Sequence, residues 1–257
     1  MNWAAPIRHQ INLMALAIGF FTRIPMPQQL EYSPQRLNSS ARYFTFVGWI
    51  IAAASALIFL TLNLWLPQDL AILLTMIAGL FLTGGFHEDG LADTCDGLGG
   101  GWTKDQKLNI MKDSRLGSYG ALGLWSALTT KFIALQHLPN IALVLLVAHP
   151  LSRAMSSALI YFMPYVSSEL SSKSKPIAHH MRLNELLCNL IIAAPALLIF
   201  PDALLPLMIS CVAVTGVCAL LFQRQLGGIT GDTLGCTQQV IEIVIYLVLV
   251  TQFGAVK

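Results

Sequence analysis

Charged residues are scarce in this sequence. Only 11% of its 257 residues are Asp, Glu, Lys or Arg, whereas soluble domains carry about 25%. Hydrophobic residues make up 55%, and the mean hydropathy is +0.66. This composition excludes a water-soluble monomer. The net charge of +2 provides no strongly basic face, so we expect no nucleic-acid partner.

Paired cysteines and a cleaved leader are also lacking. The five cysteines lie mostly within apolar runs and form no CxxC pair, which indicates small core residues rather than a disulfide framework. The first residues do not follow the pattern of a signal peptide. An apolar stretch of about 11 residues ends at Phe21 instead, and we interpret it as an interfacial or re-entrant helix.

Long apolar stretches dominate the remainder. A transmembrane helix takes roughly 20 apolar residues, and we mark seven stretches of about this size, of which the fifth is short. They are residues 43–66, 70–86, 116–135, 141–162, 186–200, 203–222 and 240–253. The sequence therefore predicts an all-α, polytopic membrane bundle that forms one domain over residues 1–257. We expect about seven transmembrane helices plus the N-terminal helix, surrounded by lipid, and a homo-oligomer is compatible with this architecture.

Basic residues are unevenly distributed among the loops. The tight turns at 67–69, 138–140 and 201–202 contain no Lys or Arg, whereas twelve of the 15 basic residues lie in the other, mostly longer loops. Cytoplasmic loops are enriched in Lys and Arg. We therefore expect the long loops on the cytoplasmic side.

Acidic residues are concentrated in residues 84–97. Glu88, Asp89, Asp93 and Asp96 are four of the chain's 13 acids, and the three aspartates share one face of a helix that turns 100° per residue. Such neighbours repel one another unless protons or cations neutralise them, and all-oxygen ligands favour Mg²⁺, Mn²⁺ or Ca²⁺ over Zn²⁺. A solvated helix end is the alternative, although the helix dipole disfavours acids at the C-terminal end of a span.

His87 lies off the aspartate face if this helix is continuous through Gly90, which weakens it as a general base. A break at Gly84-Gly85 or at Gly90 could restore that role.

A second polar segment covers residues 107–120. Lys112 and Arg115 bracket Asp113, so the segment predicts phosphate binding at a helix start, with Asp113 as a further metal ligand. Membrane anchoring, with Asp113 as a local salt-bridge partner, is the alternative.

The third segment is glycine-rich and covers residues 227–235. Its glycines, including Gly231, let backbone amides approach an anion, while Asp232 is a candidate either for the substrate site or for the N-cap of the last helix. Arg153 lies deep in an apolar stretch and needs a partner, which we expect to be a site aspartate, a phosphate or Glu169.

Together these segments closely resemble the cobalamin synthase family. The resemblance rests on GGFHEDGLADTCDG at 84–97, IMKDSRLGSYGA at 110–121 and GITGDTLG at 228–235, and it includes FTRIPMP at 21–27. The family implies a multi-pass enzyme of the bacterial inner membrane with a cytoplasmic active site. Its members join adenosylcobinamide-GDP to α-ribazole or its 5′-phosphate and release GMP, with Mg²⁺ as the expected metal.

The residues of the three segments fit this chemistry. We assign four aspartates as the ligands of one or two Mg²⁺ ions, namely Asp89, Asp93, Asp96 and Asp113. These aspartates and His87 are also the candidate catalytic groups. Arg23, Lys112, Arg115, Gly231 and Asp232 are the candidate substrate-binding residues. The general base is His87 or one of the aspartates.

Two rival functions are compatible with the same acidic cluster. One is another Mg²⁺-dependent membrane phosphotransferase of CDP-alcohol or lipid-phosphate type, because Asp93-Thr-Cys-Asp96-Gly97 resembles the opening DxxDG of that family, although the continuation differs. The other is a cation transporter, whose site would normally lie near the bilayer midplane.

Overall fold

Helices form almost all of the secondary structure. The computed structural model describes residues 4–166 and 179–254, and within them the secondary structure comprises α-helices, two short 3₁₀ turns and a single β-bridge between Tyr165 and Ile229. The helices are α1 (Ala4–Phe21), α2 (Pro34–Ser40), α3 (Phe44–Leu62), α4 (Gln68–Thr83), α5 (Phe86–Gly100), α6 (Lys104–Ile110), α7 (Ser118–Gln136), α8 (Ile141–Phe162), α9 (Leu183–Leu197), α10 (Leu204–Leu226) and α11 (Gly231–Phe253). The all-α prediction is confirmed.

Fewer helices than expected meet the requirements of a membrane span. Four segments of the described chain are long and apolar enough, namely Pro34–Leu62, Ile141–Phe162, Pro201–Leu226 and Gly231–Phe253, and the bent pair α4–α5 makes a fifth. Helix α9 is apolar but has only 15 residues. The expected number of seven spans is therefore not confirmed. Helix α1 is longer than the 11-residue stretch expected there and has 18 residues.

Helix α8 lies at the centre of the bundle. In the most apolar 18-residue window of α8, 78% is buried inside the bundle. The corresponding value for Pro201–Leu226, the segment that contains α10, is 17%. One cluster of buried apolar side chains surrounds its first half and includes Leu207 and Ile245, and a second surrounds its last turns and includes Phe44 and Phe222. The outer face of α10 is left exposed, with side chains such as Leu205, as expected of a surface in contact with lipid.

The long loops gather at one end of the bundle. Lys107 on α6 hydrogen-bonds to Gln225 at the end of α10, and the backbone N–H of Ile229 donates to the Pro164 carbonyl at 2.9 Å. Two of the tight turns meet at the opposite end, where Asp69 and Pro139 line one cavity. The structure therefore divides long loops from tight turns as the charge pattern predicts.

Candidate active site

The acidic segment begins a new helix. Gly84 and Gly85 adopt left-handed conformations with φ of 70° and 67°, which glycine accepts without steric cost. Helix α4 therefore ends at Thr83, and α5 departs from it at 88°. Glu88 and Asp89 lie in the first turn of α5, where the helix dipole favours negative charge. Glu88 and Asp89 therefore lie at the start of a helix and not at the C-terminal end of one.

Arg23 lies at this break. Its backbone N–H donates to the Leu82 carbonyl at 2.8 Å, and its guanidinium is so close to Gly84 that a Cβ there would be 2.4 Å from Nε. The side chain of Arg23 is exposed. A cation therefore stands beside the start of the acidic helix.

Helices α5 and α11 cross where both have glycine. A Cβ on Gly90 would lie 2.8 Å from the Asp232 carbonyl oxygen, and one on Gly235 would lie 3.2 Å from the His87 carbonyl oxygen. The two backbones therefore touch at this crossing. It brings Asp232, at the start of α11, to the aspartates of α5.

Three aspartates from two helices form a carboxylate cluster, which we define as Asp89, Asp93 and Asp232. Asp93 is repelled by both other members and by Asp96, and Asp232 is repelled by Asp89 and attracted by Lys112. The acidic segment 84–97 and the glycine-rich segment 227–235, which are separate in the sequence, therefore contribute carboxylates to the same cluster. The cluster concentrates negative charge that a cation would neutralise.

Asp232 is not the N-cap of α11. Thr230 occupies that position, and its hydroxyl accepts a hydrogen bond from the Thr233 N–H at 3.2 Å. The Asp232 carboxylate instead accepts from the Thr230 hydroxyl at 3.4 Å. The capping alternative for Asp232 was therefore wrong, and its carboxylate is directed to the cluster.

Asp96 faces the backbone of α7. Its Oδ2 accepts from the Gly117 N–H at 2.7 Å and its Oδ1 from the Gly120 N–H at 2.8 Å, and the residue is only 7% exposed. These bonds satisfy N–H groups at the start of α7 that have no partner within the helix. Asp96 therefore caps α7, and its role as a metal ligand stays a prediction.

Asp113 and Arg115 form an exposed ion pair before α7 begins. Arg115 donates from Nε at 3.0 Å and from Nη2 at 2.5 Å. These hydrogen bonds hold the pKa of the Asp113 carboxyl below its usual value. The salt-bridge alternative accounts for this pair, while the metal and phosphate roles of the two residues stay predictions.

His87 is buried on another side of α5. Its imidazole stacks on Phe21, with ring centroids 5.4 Å apart and an interplanar angle of 12°, and the residue is 5% exposed. The predicted break at Gly84-Gly85 is present, but it precedes His87, and α5 is continuous through Gly90, so the break does not turn His87 to the aspartate face. The condition that would have weakened His87 as a general base is therefore met.

Tyr165 is a neighbour of the cluster that the sequence did not indicate. Its phenol oxygen would lie 4.0 Å from a Cβ on Gly231, and burial raises the pKa of the Tyr165 phenol. The β-bridge to Ile229 brings it there. No local motif marks this tyrosine, because the contact depends on pairing between distant loops.

The charged side chains inside the bundle were only partly anticipated. Lys131 on α7 and Glu242 on α11 form a buried ion pair with Nζ and Oε1 2.9 Å apart. Arg153 donates to the His149 carbonyl at 3.0 Å and interacts electrostatically with Glu88 and Glu242. Glu169, one of its expected partners, lies outside the described residues.

The donor set consists of carboxylate oxygens. Within residues 4–166 and 179–254, no group of three or more His, Cys, Asp or Glu side chains is arranged so that it alone could hold a metal ion. Mg²⁺, however, is usually bound by one or two carboxylates plus substrate phosphates and water. The carboxylate cluster fits a metal that arrives with, or is completed by, a phosphorylated ligand.

Comparison with known proteins gives one consistent family. The model of the cobalamin-5-phosphate synthase family matches residues 13–250. An adenosylcobinamide-GDP ribazoletransferase of Shewanella piezotolerans is 49% identical over 94% of this chain and 96% of its own. The enzymes of the same name from Shewanella baltica and Shewanella oneidensis are 48% and 46% identical over 93% and 95% of the chain, and 94% and 96% of their own lengths. No solved structure matches.

Proposed function

This chain belongs to the cobalamin-5-phosphate synthase family, and from that premise we propose that its carboxylate cluster is the reaction centre. The protein acts as an adenosylcobinamide-GDP ribazoletransferase, which joins adenosylcobinamide-GDP to α-ribazole or its 5′-phosphate and releases GMP. The observation that carries the assignment is the crossing of α5 and α11 at Gly90 and Gly235, which places Asp232 beside the aspartates of α5.

We assign Mg²⁺ to this cluster. Asp89, Asp93 and Asp232 provide the hard oxygen ligands that Mg²⁺ prefers, and their mutual repulsion is relieved when a cation binds. Asp96 and Asp113 remain candidate ligands from the sequence. When bound, Mg²⁺ neutralises negative charge on the diphosphate and on the leaving phosphate.

The reaction is a substitution at phosphorus. The ribose 3′-hydroxyl oxygen of α-ribazole bonds to the phosphorus that carries cobinamide, the bond from that phosphorus to the GMP oxygen breaks, and GMP leaves with the electron pair. The hydroxyl proton passes to a base. A cluster aspartate suits this role better than His87, because His87 is buried against Phe21.

Cations at the same end of the bundle bind the phosphates. Arg23 lies at the start of α5, and Lys112 attracts the Asp232 carboxylate electrostatically. Both cations are therefore close enough to interact with the carboxylate cluster. Arg115 follows in the same loop, and its guanidinium matches phosphate as it matches the Asp113 carboxylate. Gly231 and Asp232 contribute to the substrate site from α11.

The membrane arrangement follows from the same division of loops. Helices α7 and α9 complete seven crossings with the four clear spans and the bent pair. The end with the long basic loops lies on the cytoplasmic side of the bacterial inner membrane. Adenosylcobinamide-GDP and GMP then enter and leave on the cytoplasmic side.

The test is turnover by the purified protein in lipid nanodiscs. Adenosylcobinamide-GDP and α-ribazole with Mg²⁺ should give adenosylcobalamin and GMP in equal amounts, measured by chromatography. Asp93→Asn and Asp232→Asn should each lower kcat on the order of 10²-fold or more, as loss of a charge-stabilising group does. Asp105→Asn, an exposed change on α6, is the matched control.

Two results would contradict the proposal. Near wild-type activity of Asp93→Asn at limiting Mg²⁺ would remove the metal assignment. Transfer from a CDP-linked or lipid-phosphate donor in place of the corrinoid substrate would instead favour a different phosphotransferase.

A further inference from the structure

Glu88 belongs to the acidic segment but not to the carboxylate cluster. Its Oε1 accepts a hydrogen bond from Gln239 Nε2 at 2.9 Å, and the side chain lines a cavity inside the bundle together with Lys131, Arg153 and Glu242. Neighbouring residues on a helix point 100° apart. With Glu88 directed inward, Asp89 is left exposed on the outer side.

Gln239 is a rigid partner for Glu88. Its Nε2 also donates to Gln238 Oε1 at 2.8 Å, and its Oε1 accepts from Lys131 Nζ at 2.7 Å. Lys131 in turn is bonded to Glu242. Gln239 is 2% exposed, so both ends of its amide are fixed within the bundle.

The cavity beside Glu88 is too small for a substrate. Its volume is about 60 Å³, whereas an engineered cavity of about 150 Å³ binds only a molecule of the size of benzene, and about 10–15 Å³ suffices for one water. Glu88 Oε2, His149 Nδ1 and Arg153 Nε are buried there without a hydrogen-bond partner among the described residues. This mixture of donors and acceptors suits a few water molecules.

We propose that Glu88 is a positioning residue for the transfer reaction. Its bond to Gln239 fixes the first turn of α5, and thereby the orientation of Asp89 and Asp93, although Glu88 contacts neither metal nor substrate. The anchor lies where α5 starts directly after two left-handed glycines, and it ties the polar side of that first turn to α11, while His87 packs on Phe21. The inference rests on the proposed function.

The experiment compares Glu88→Gln, Glu88→Ala, Gln239→Ala and the double alanine variant. The glutamine oxygen can still accept from Gln239, so Glu88→Gln should keep kcat within about threefold. The three alanine variants should lose at least tenfold in kcat, with the KM for adenosylcobinamide-GDP within twofold. The double variant should be no worse than either single one, because both changes break the same contact.

Metal binding is measured separately from activity. Mn²⁺ serves as the probe, and its Kd is followed by electron paramagnetic resonance on the purified protein. The Kd should change less than twofold in Glu88→Gln, which keeps the bond to Gln239, and should rise in Glu88→Ala, which releases Asp89 and Asp93. Asp69→Asn, exposed at the other end of the bundle, controls for loss of a carboxylate. Thermal unfolding of each variant verifies the fold, and Gln239→Ala tests the anchor if Glu88→Ala does not fold.

Several results would overturn the assignment. If Glu88→Gln is as inactive as Glu88→Ala and binds Mn²⁺ at least tenfold more weakly, Glu88 is a metal ligand. A raised KM, additive losses in the double variant or an unchanged kcat in Glu88→Ala would each contradict the positioning role. If the wild-type protein has no transferase activity, the proposed function fails, whereas the Mn²⁺ measurement still decides whether Glu88 binds metal.

Discussion

Asp93 and Asp96 lie about one turn apart on α5 but have different surroundings. Asp93 is half-buried within the carboxylate cluster, whereas both oxygens of Asp96 accept N–H groups at the start of α7. On a helical wheel, Asp93 and Asp96 lie on the same face of the helix. Only the position of α7 distinguishes them, because Gly117 and Gly120 supply the donors.

This difference predicts opposite effects on stability. Asp96→Asn replaces an acceptor oxygen with an NH₂ group that faces a backbone N–H, and should lower the free energy of unfolding by about 1–3 kcal/mol. Asp93→Asn removes a repelled charge and should leave stability unchanged or raised. Thermal unfolding in detergent at fixed lipid content measures both. Equal destabilisation by the two variants would contradict the capping role of Asp96.

At the scale of helices, the α5–α11 crossing determines the site. Gly90 and Gly235 permit backbone contact, and without that contact Asp232 would not reach the aspartates of α5. No spacing within the sequence indicates the crossing, because its two partners lie in different segments.

Gly90→Ala should therefore disrupt the site. Its Cβ would lie 2.8 Å from a carbonyl oxygen and 3.1 Å from a Cα of Asp232, so the helices must separate, at a cost of about 1–3 kcal/mol for overpacking. We expect kcat to fall at least tenfold. Gly100→Ala on the same helix, where the nearest side-chain atom is at an ordinary 3.5 Å, is the control. Unchanged turnover in Gly90→Ala would show that the crossing is not needed.

The sequence predicted the components of this site better than their arrangement. Apolar runs and turn residues were sufficient for an all-α membrane bundle, and the glycine pair 84–85 marked a candidate break. The direction of α5 after that break and the burial of His87 against Phe21 depend on tertiary packing. Lys131 lies within the apolar stretch 116–135, but its partner Glu242 is 111 residues away, too far for any local pattern to indicate the pair.

At the scale of the whole molecule, the long loops that the structure describes lie at one end. Cysteine introduced at Lys104 should react with an impermeant thiol reagent only from the cytoplasmic side, and cysteine at His137 only from the opposite side. Both positions are exposed. The five native cysteines are replaced first. Labelling of both positions from the same side would contradict this topology.

The buried pair of Lys131 and Glu242 also constrains how the protein is made. Translation adds about 5–20 residues per second, so Glu242 follows Lys131 by roughly 6–22 s over their 111-residue separation. In the proposed arrangement of seven crossings, α7 during that interval carries an unpaired lysine, whose insertion costs roughly 2.5–3.5 kcal/mol at a helix centre. We therefore expect α7 to reach its final position in the bilayer only after α11 has emerged, when Glu242 can pair with Lys131.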